Sequence, residues 1–313
     1  MRNIGSSDLS VHPLCLGTNV FGWTVDERQS FAVLDAYAAA GGNFIDTADS
    51  YSAWADGNSG GESEAIIGRW MAARGNRDDM VVATKVGQMP GLGGLAPATI
   101  RAAAEASLAR LGTDRIDLYW AHVDDEGTPL ADTLGAFGEL IGEGKVRYAG
   151  ASNYGAPRLA EALAIARAGG LPEYVAIQPK YNLVARDQYE GPLADLCVRE
   201  GVSCVPYYGL ASGFLTGKYR PGGPAVASAR AGSASQLLDE RGIAALRALD
   251  EVAASHATTV AAVALAWVAA QPGVAAPIAS ARTPEQLADL LPFADLELSG
   301  DELRLLGAAT RVS

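Results

Sequence analysis

Cysteine, histidine and positive charge are all scarce in this chain. Its 313 residues include three cysteines, three histidines, and 24 Lys plus Arg against 36 Asp plus Glu. Cys15, Cys197 and Cys204 are too few and too scattered for a disulfide framework, and no CxxC pair occurs. His12, His122 and His256 fall outside any zinc-type spacing, so no metal site is expected. A net charge of −12 argues against a nucleic-acid or anionic-membrane surface, since both need clustered Lys and Arg. Long apolar runs are missing as well. The longest candidate, Val260 to Ala270, is Ala-rich, interrupted by Trp267 and followed by Pro272, well short of the ~18–20 residues that span a bilayer. No apolar stretch follows Met1-Arg2-Asn3-Ile4, so no secretory signal is expected. A reducing, cytoplasmic setting is the expectation, with a small molecule rather than a nucleic acid or membrane as partner; whether the chain is a monomer or a homo-oligomer stays open.

Hydrophobic residues make up 49% and charged residues 19%, enough for a large core and too apolar for a disordered chain. Short apolar runs suited to strands buried on both faces occur at Pro13–Gly17, Asn43–Asp46, Met80–Val86, Ile116–Ala121, Val146–Ser152, Val175–Pro179, Ser203–Pro206 and Ala276–Ala279. Helical stretches lie between them: Asp26–Ala40, Gly61–Arg74, Ala98–Leu111, Leu130–Ile141, Pro157–Ala168, Gly191–Glu200 and Ile243–Ala270, with a last one from Pro284. Eight strands each followed by a helix predict an α/β fold, a (β/α)8 TIM barrel, with an open doubly wound sheet as the structural rival. Residues Arg2–Leu9, with Gly5-Ser6-Ser7 in their midst, predict an added N-terminal β-hairpin. Tyr219–Ser235, rich in Pro, Gly, Ala and Ser, predicts a long loop. No linker divides the chain, so residues 1–313 are expected to form one barrel domain.

Polar residues gather where the strands end, which is where a barrel places its chemistry. The second strand runs into Asp46-Thr47-Ala48-Asp49-Ser50-Tyr51, the third ends in Thr84-Lys85 and the fourth in Ala121-His122. Singly, each has an ordinary explanation: a solvated lysine, a structural histidine, a rim tyrosine. Together they put an Asp, a Tyr, a Lys and a His at one mouth. Three familiar signatures fail. Gly91-Leu92-Gly93-Gly94-Leu95-Ala96 matches GxGxxA, but Gln88-Met89-Pro90 separates it from the strand, so it reads as a loop. Gly213 to Lys218 resembles a P-loop, yet Tyr219 stands where a Ser or Thr would bind magnesium. Gly150-Ala151-Ser152-Asn153-Tyr154 lacks the second Gly of a nucleophile elbow.

Over essentially its whole length the chain resembles the aldo-keto reductases, (β/α)8 oxidoreductases that use a nicotinamide cofactor without a Rossmann fold. The resemblance rests on Gly17-Thr18-Asn19-Val20-Phe21-Gly22, Phe44 to Tyr51, Gly61-Glu62-Ser63-Glu64 with Gly68, Gly144-Lys145-Val146-Arg147 with Gly150 to Asn153, and Gly213 to Lys218. It implies a catalytic tetrad of Asp46, Tyr51, Lys85 and His122, with Tyr51 as proton donor, its pKa lowered by Lys85. It implies carboxamide contacts from Ser152, Asn153 and Gln178, a nicotinamide-stacking ring at Tyr207, and pyrophosphate donors around Leu210, Ser212 and Gly213, with Lys218 nearby. Ser280, Arg282, Gln286 and Asp289 fall at the adenosine-phosphate end, where Arg282 and Ser280 favour NADP (as NADPH), with NAD as the other option. Two departures stand out: Tyr208-Gly209 replaces the family's usual Ser-Pro, and Asp289-Leu290 replaces an acidic residue followed by Asn. Trp23, Trp54, Trp120 and Tyr181 are candidates for an aromatic substrate pocket, with Trp120 alternatively packing on the barrel helices. The implied activity is NADPH-dependent reduction of an aldehyde, ketone or sugar-derived carbonyl. The alternatives are an alcohol or sugar dehydrogenase, and a redox-sensing regulatory subunit.

Overall fold

A computed structural model describes residues 1–310. The chain starts with a two-stranded antiparallel hairpin, β1 (Arg2–Asn3) and β2 (Ser10–Val11), as the glycine and serines between them predict. Eight parallel strands follow in one sheet: β3 (Cys15–Gly17), β4 (Phe44–Asp46), β5 (Val81–Val86), β8 (Ile116–Ala121), β9 (Val146–Ser152), β10 (Ala176–Gln178), β11 (Ser203–Cys204) and β12 (Ile278–Ala279). The predicted Ile116–Ala121 and Val146–Ser152 match residue for residue. Between β5 and β8 the GxGxxA segment folds as a small hairpin, β6 (Gln88–Met89) and β7 (Leu92–Gly93), outside the barrel sheet. The first and last strands of the sheet order close on each other. Ala275 N donates to Cys204 O at 2.8 Å, and Ile278 N to Pro206 O at 2.8 Å. This is the (β/α)8 barrel, not the open sheet.

Helices wrap the outside: α1 (Glu27–Ala39), α2 (Glu62–Arg74), α3 (Pro97–Leu111), α4 (Leu130–Gly142), α5 (Ala156–Gly169), α6 (Pro192–Glu200), the short α7 (Ala231–Ser235), α8 (Glu240–Ser255), α9 (Val260–Ala269), α10 (Pro284–Ala288) and α11 (Gly300–Ala309). One expectation fails here: Ile243–Ala270 is not a single helix. It is α8 and α9, bent by 99°. Ala257 adopts a left-handed φ of 49°, and Thr259 opens α9 as an N-cap, its side chain accepting from Ala262 N. An N-cap hydroxyl satisfies an otherwise orphaned amide, which makes a new start cheaper than continuing. No single helix among the described residues is long and apolar enough to cross a membrane.

The barrel has two cores. Side chains alternate along each strand, so Leu118 and Trp120 enter an interior cluster with Phe44, Val81, Ala83 and Val205, while Tyr119 and Ala121 join the larger cluster beneath the helices. Trp120 fills the room left by Gly150 opposite, where a Cβ would stand 2.4 Å from the indole. The N-terminal hairpin plugs the end where the strands begin. Ile4, Leu9 and Val11 belong to the interior cluster, and Gly5 N donates to Ser203 Oγ at 2.7 Å. The opposite end, where the strands finish, is left for the long loops.

Candidate active site

The tetrad residues meet at that open end. Asp46 is the last residue of β4 and Tyr51 sits in the turn that follows. Lys85 continues the inward-facing row of Val81 and Ala83 on β5, and His122 directly follows β8. Lys85 Nζ, wholly buried, donates to Asp46 Oδ2 at 2.5 Å, to Thr47 O at 2.7 Å and to Tyr51 Oη at 2.8 Å. Gln178 Nε2 donates to the other Asp46 oxygen at 2.9 Å. The carboxylate is therefore held on both sides, and the ammonium has a donor for each of three acceptors. His122 lies edge-on to Tyr51, with ring centroids 6.2 Å apart.

Charge states follow from burial and from the pair. Burial alone would lower the Lys85 pKa, but the charge of Asp46 and the partnership with Tyr51 outweigh it, and the ammonium is held above its usual value. Burial, reinforced by the charge of Lys85, depresses the His122 imidazole to about 3, so it is neutral through the ordinary pH range. Tyr51 corrects an expectation. Lys85 does pull its pKa down, but burial is the larger effect and Asp46 adds to it, so the phenol is pushed up to about 12. Desolvation penalises the phenolate more than one already paired ammonium can repay. The group is thus a protonated phenol, able to donate, hydrogen-bonded to a fixed cation.

From Tyr51 a cleft of about 390 Å³ runs past Tyr207 to Gln286 and Asp289. Ser152, Asn153 and Gln178 lie together beside Tyr207. Ser152 Oγ donates to Gln178 O at 3.0 Å, Asn153 Nδ2 to His122 O at 2.9 Å, and Tyr207 Oη to Asn153 Oδ1 at 3.0 Å. Leu210, Ser212, Gly213, Lys218, Ser280, Arg282, Gln286 and Asp289 all line the cleft. Ala211, Ser212 and Gly213 hold left-handed φ values of 50°, 58° and 86°. Gly213 N–H closes a turn on Leu210 O at 2.9 Å, so Gly213 shapes this bend instead of offering its own amide. Gln286 Oε1 accepts from Arg282 N at 3.0 Å, which ties the far end of the cleft together.

Two of the aromatic candidates flank the mouth and two do not. Trp23 lines the cleft and meets Trp54 edge-on at 5.7 Å, while Trp54, 52% exposed, is 6.1 Å from the Tyr51 ring. Trp120 is neither in the pocket nor against the helices, being sealed inside the barrel below the tetrad. Tyr181 faces outward, its hydroxyl on Glu190 Oε1 at 2.8 Å and its ring against Tyr189 and Trp267. Arg230 was missed by the motif reading. It lies over the Trp23 ring at 5.6 Å and lines the cleft, brought there by the long loop. The available signal was that Arg230 is the one charged residue between Pro221 and Leu238. Tyr208, at a left-handed φ of 67°, and Asn19 also line the cleft.

A nicotinamide dinucleotide fits the donor set. Lys218, Arg230 and Arg282 converge on the cleft, and none of them has a carboxylate partner among the described residues, although the chain carries a net charge of −12. Burial and the charge of Arg282 lower the pKa of Lys218, and burial does the same to Arg230. Three unpaired cations in one groove call for an anionic ligand.

Known proteins resemble this chain over nearly its whole length. The model of the "Aldo/keto reductase family" matches residues 13–310. "Norsolorinic acid reductase B" of Aspergillus parasiticus is 33% identical, with 96% of this chain and 81% of that protein aligned. "Uncharacterized oxidoreductase YrpG" of Bacillus subtilis is 36% identical, over 97% of this chain and 93% of its own length. "Aryl-alcohol dehydrogenase GME11368" of Pestalotiopsis microspora is 31% identical, over 96% of this chain and 79% of its own.

Proposed function

This chain belongs to the aldo/keto reductase family, and on that premise we propose that it reduces the carbonyl of an aromatic aldehyde or ketone to the alcohol, with NADPH as reductant and Tyr51 as proton donor. The observation that carries this reading is the Tyr51 phenol, protonated and held by Lys85 Nζ at 2.8 Å at the head of the cleft. Carbonyl reduction leaves an alkoxide that must be protonated as it forms, which a positioned acid accomplishes. Bound at the cationic groove, the nicotinamide cofactor would supply the hydride. The chain's own residues do the rest. Lys85 sets the phenol's orientation, neutral His122 is placed to hydrogen-bond the carbonyl oxygen, and Asp46 with Gln178 keeps the lysine in place. Alcohol oxidation uses the same groups with Tyr51 as base; the reductive direction is the one in the name of the norsolorinic acid reductase.

The aromatic preference rests on the Trp23–Trp54 wall beside Tyr51, which sets aromatic surface next to the phenol for a substrate ring to pack on. The name of one relative, an aryl-alcohol dehydrogenase, also carries an aromatic group. A cytoplasmic setting, where NADPH is supplied, goes with this reading. The test is cofactor consumption over a panel of aromatic aldehydes, aliphatic aldehydes, sugars and alcohols. Turnover strongest with aromatic carbonyls supports it; tight cofactor binding with negligible turnover would point to a redox-sensing subunit.

Arg282 is the residue on which the NADPH assignment rests. A 2′-phosphate pairs well with the planar guanidinium fork, and hydrogen bonds to charged groups contribute roughly 1.5–3 kcal/mol. At ~1.4 kcal/mol per decade, Arg282→Ala is expected to weaken NADPH binding on the order of 10- to 100-fold and to leave NADH nearly unmoved. Tryptophan quenching with both cofactors at two ionic strengths measures it. Equal losses for both would mean that Arg282 supports the loop, and the NADPH assignment would fall.

A further inference from the structure

The turn that carries Tyr51 holds a second buried carboxyl with no part in the chemistry above. Asp49 is 0% exposed, and neither of its side-chain oxygens has a hydrogen bond of good geometry, the Ser50 amide offering only a weak one. Its backbone N–H reaches Lys85 O at 3.4 Å, so the turn is stitched to the strand bearing the catalytic lysine. The charged and titratable groups facing it come from four elements: Glu64 on α2, Arg110 on α3, Lys85 on β5, and Tyr119 on β8, whose hydroxyl is also buried and unpartnered. Glu64 is equally buried, but it accepts from Thr84 Oγ1 at 2.6 Å and from Arg110 Nε at 2.6 Å. Two carboxyl groups thus lie near one guanidinium, and Glu64 alone hydrogen-bonds it.

A carboxylate sealed from water with no strong donor neutralises by keeping its proton. Where two carboxyls share a site, the one with hydrogen bonds to its charged form stays ionised and the other is protonated. We propose that Asp49 is a positioning residue: a neutral carboxylic acid that lets the Tyr51 turn pack without a second buried negative charge and so leaves the Lys85 charge undiluted for Tyr51. The proposal rests on Tyr51 as the acid. Burial, then the charge of Glu64, push the Asp49 carboxyl up to about 7, with Arg110, the Ser50 amide and Lys85 opposing. Ionisation would set a second negative charge near Lys85 and a repulsion against Glu64 that the turn must yield to relieve.

The sign for stability follows from the raised value. An unfolded Asp titrates near ~3.9, so the folded state keeps a proton that the unfolded state has lost. The resulting stabilisation is full below the unfolded value and is lost as pH rises through about 7. Asp49→Asn keeps the shape and removes the titration.

Three readings on wild type and Asp49→Asn decide the matter. Infrared spectroscopy of the wild type is expected to show a protonated-carboxyl band that fades through about pH 7 and is missing from the variant. Urea unfolding of the wild type should lose stability from about pH 4 up to about 7 and level off above that, and the variant should lack this part of the loss. Carbonyl reduction should show an inflection near neutrality in the wild type that disappears in the variant, with similar rates at lower pH. If the band persists in the variant, Asp49 is not the protonated group. If the band disappears but both pH–rate profiles superimpose, Asp49 is protonated without positioning Tyr51, and the proposal falls. The wild-type spectrum needs no variant to fold. Repeating the infrared and urea titrations in Tyr51→Phe separates the two claims, since the Asp49 proton should survive there even if Tyr51 is not the acid.

Discussion

Tyr51→Phe is expected to lower the rate of carbonyl reduction by ~10²–10⁴-fold, the usual contribution of a positioned general acid. The substitution keeps the ring that meets Trp54 and His122 edge-on, at 6.1 and 6.2 Å, and removes only the hydroxyl. Lys85 keeps Asp46 and Thr47 O as acceptors, so the buried ammonium is not stranded. Folding should therefore change little, and so should the dissociation constant for the cofactor. Stopped-flow reduction of one aldehyde, together with cofactor titration of both forms, gives the comparison. Near-normal turnover by the Phe variant would remove Tyr51 from the reaction.

Lys85→Met is expected to be damaging twice over. The lysine is 0% exposed and Asp46 is 1% exposed, so deleting the cation leaves a carboxylate buried with Gln178 as its chief donor. Breaking one side of a buried pair costs about 3–5 kcal/mol, a large share of the ~5–15 kcal/mol that stabilises most proteins. The second effect is on chemistry. Without the one influence that lowers it strongly, the Tyr51 pKa should climb further from about 12. Alcohol oxidation, which needs the phenolate, should then require more alkaline solution. Urea unfolding reads the first effect, and the oxidation rate against pH reads the second. The double variant Asp46→Asn/Lys85→Met separates them. It should recover much of the stability, because no lone charge remains, and none of the activity. If the double variant regained activity with stability, Lys85 would be structural only.

The residues that the motifs brought together are the ones the barrel brings together at its mouth. The strand ends that carry the tetrad are legible because a short apolar run there gives way to a polar residue, as at Ile45-Asp46, Thr84-Lys85 and Ala121-His122. The cleft contacts from Ser152 to Asp289 were legible through the family resemblance, since nothing local marks Gly213 or Gln286. The helix break at His256–Thr259 was hidden because alanines on both sides continue a helical composition; only the capping Thr259 gave it away. Trp120 could have been placed by alternation with Leu118, which puts both inside the barrel. Tyr181 could not, because its partners Tyr189 and Trp267 arrive from the loop before α6 and from α9 respectively. The direction of the Tyr51 shift was misjudged for a related reason. Sequence supplies the neighbouring charge but not the depth of burial, and here burial is the larger effect. Asp49 was passed over for the same cause: the groups around it come from α2, α3, β5 and β8.

In the proposed reaction hydride reaches a carbonyl carbon while Tyr51 protonates the oxygen. The most direct measurement is a single-turnover reaction of an aromatic aldehyde with NADPH carrying deuterium at its transferable position, followed by mass spectrometry of the product. Wild type is expected to give the alcohol with one deuterium on the carbinol carbon, and Tyr51→Phe, loaded equally with cofactor, to give almost none in the same time. Unlabelled alcohol, no alcohol from the wild type across the carbonyl panel, or equal yields from both forms would rule out Tyr51-assisted hydride transfer to a carbonyl.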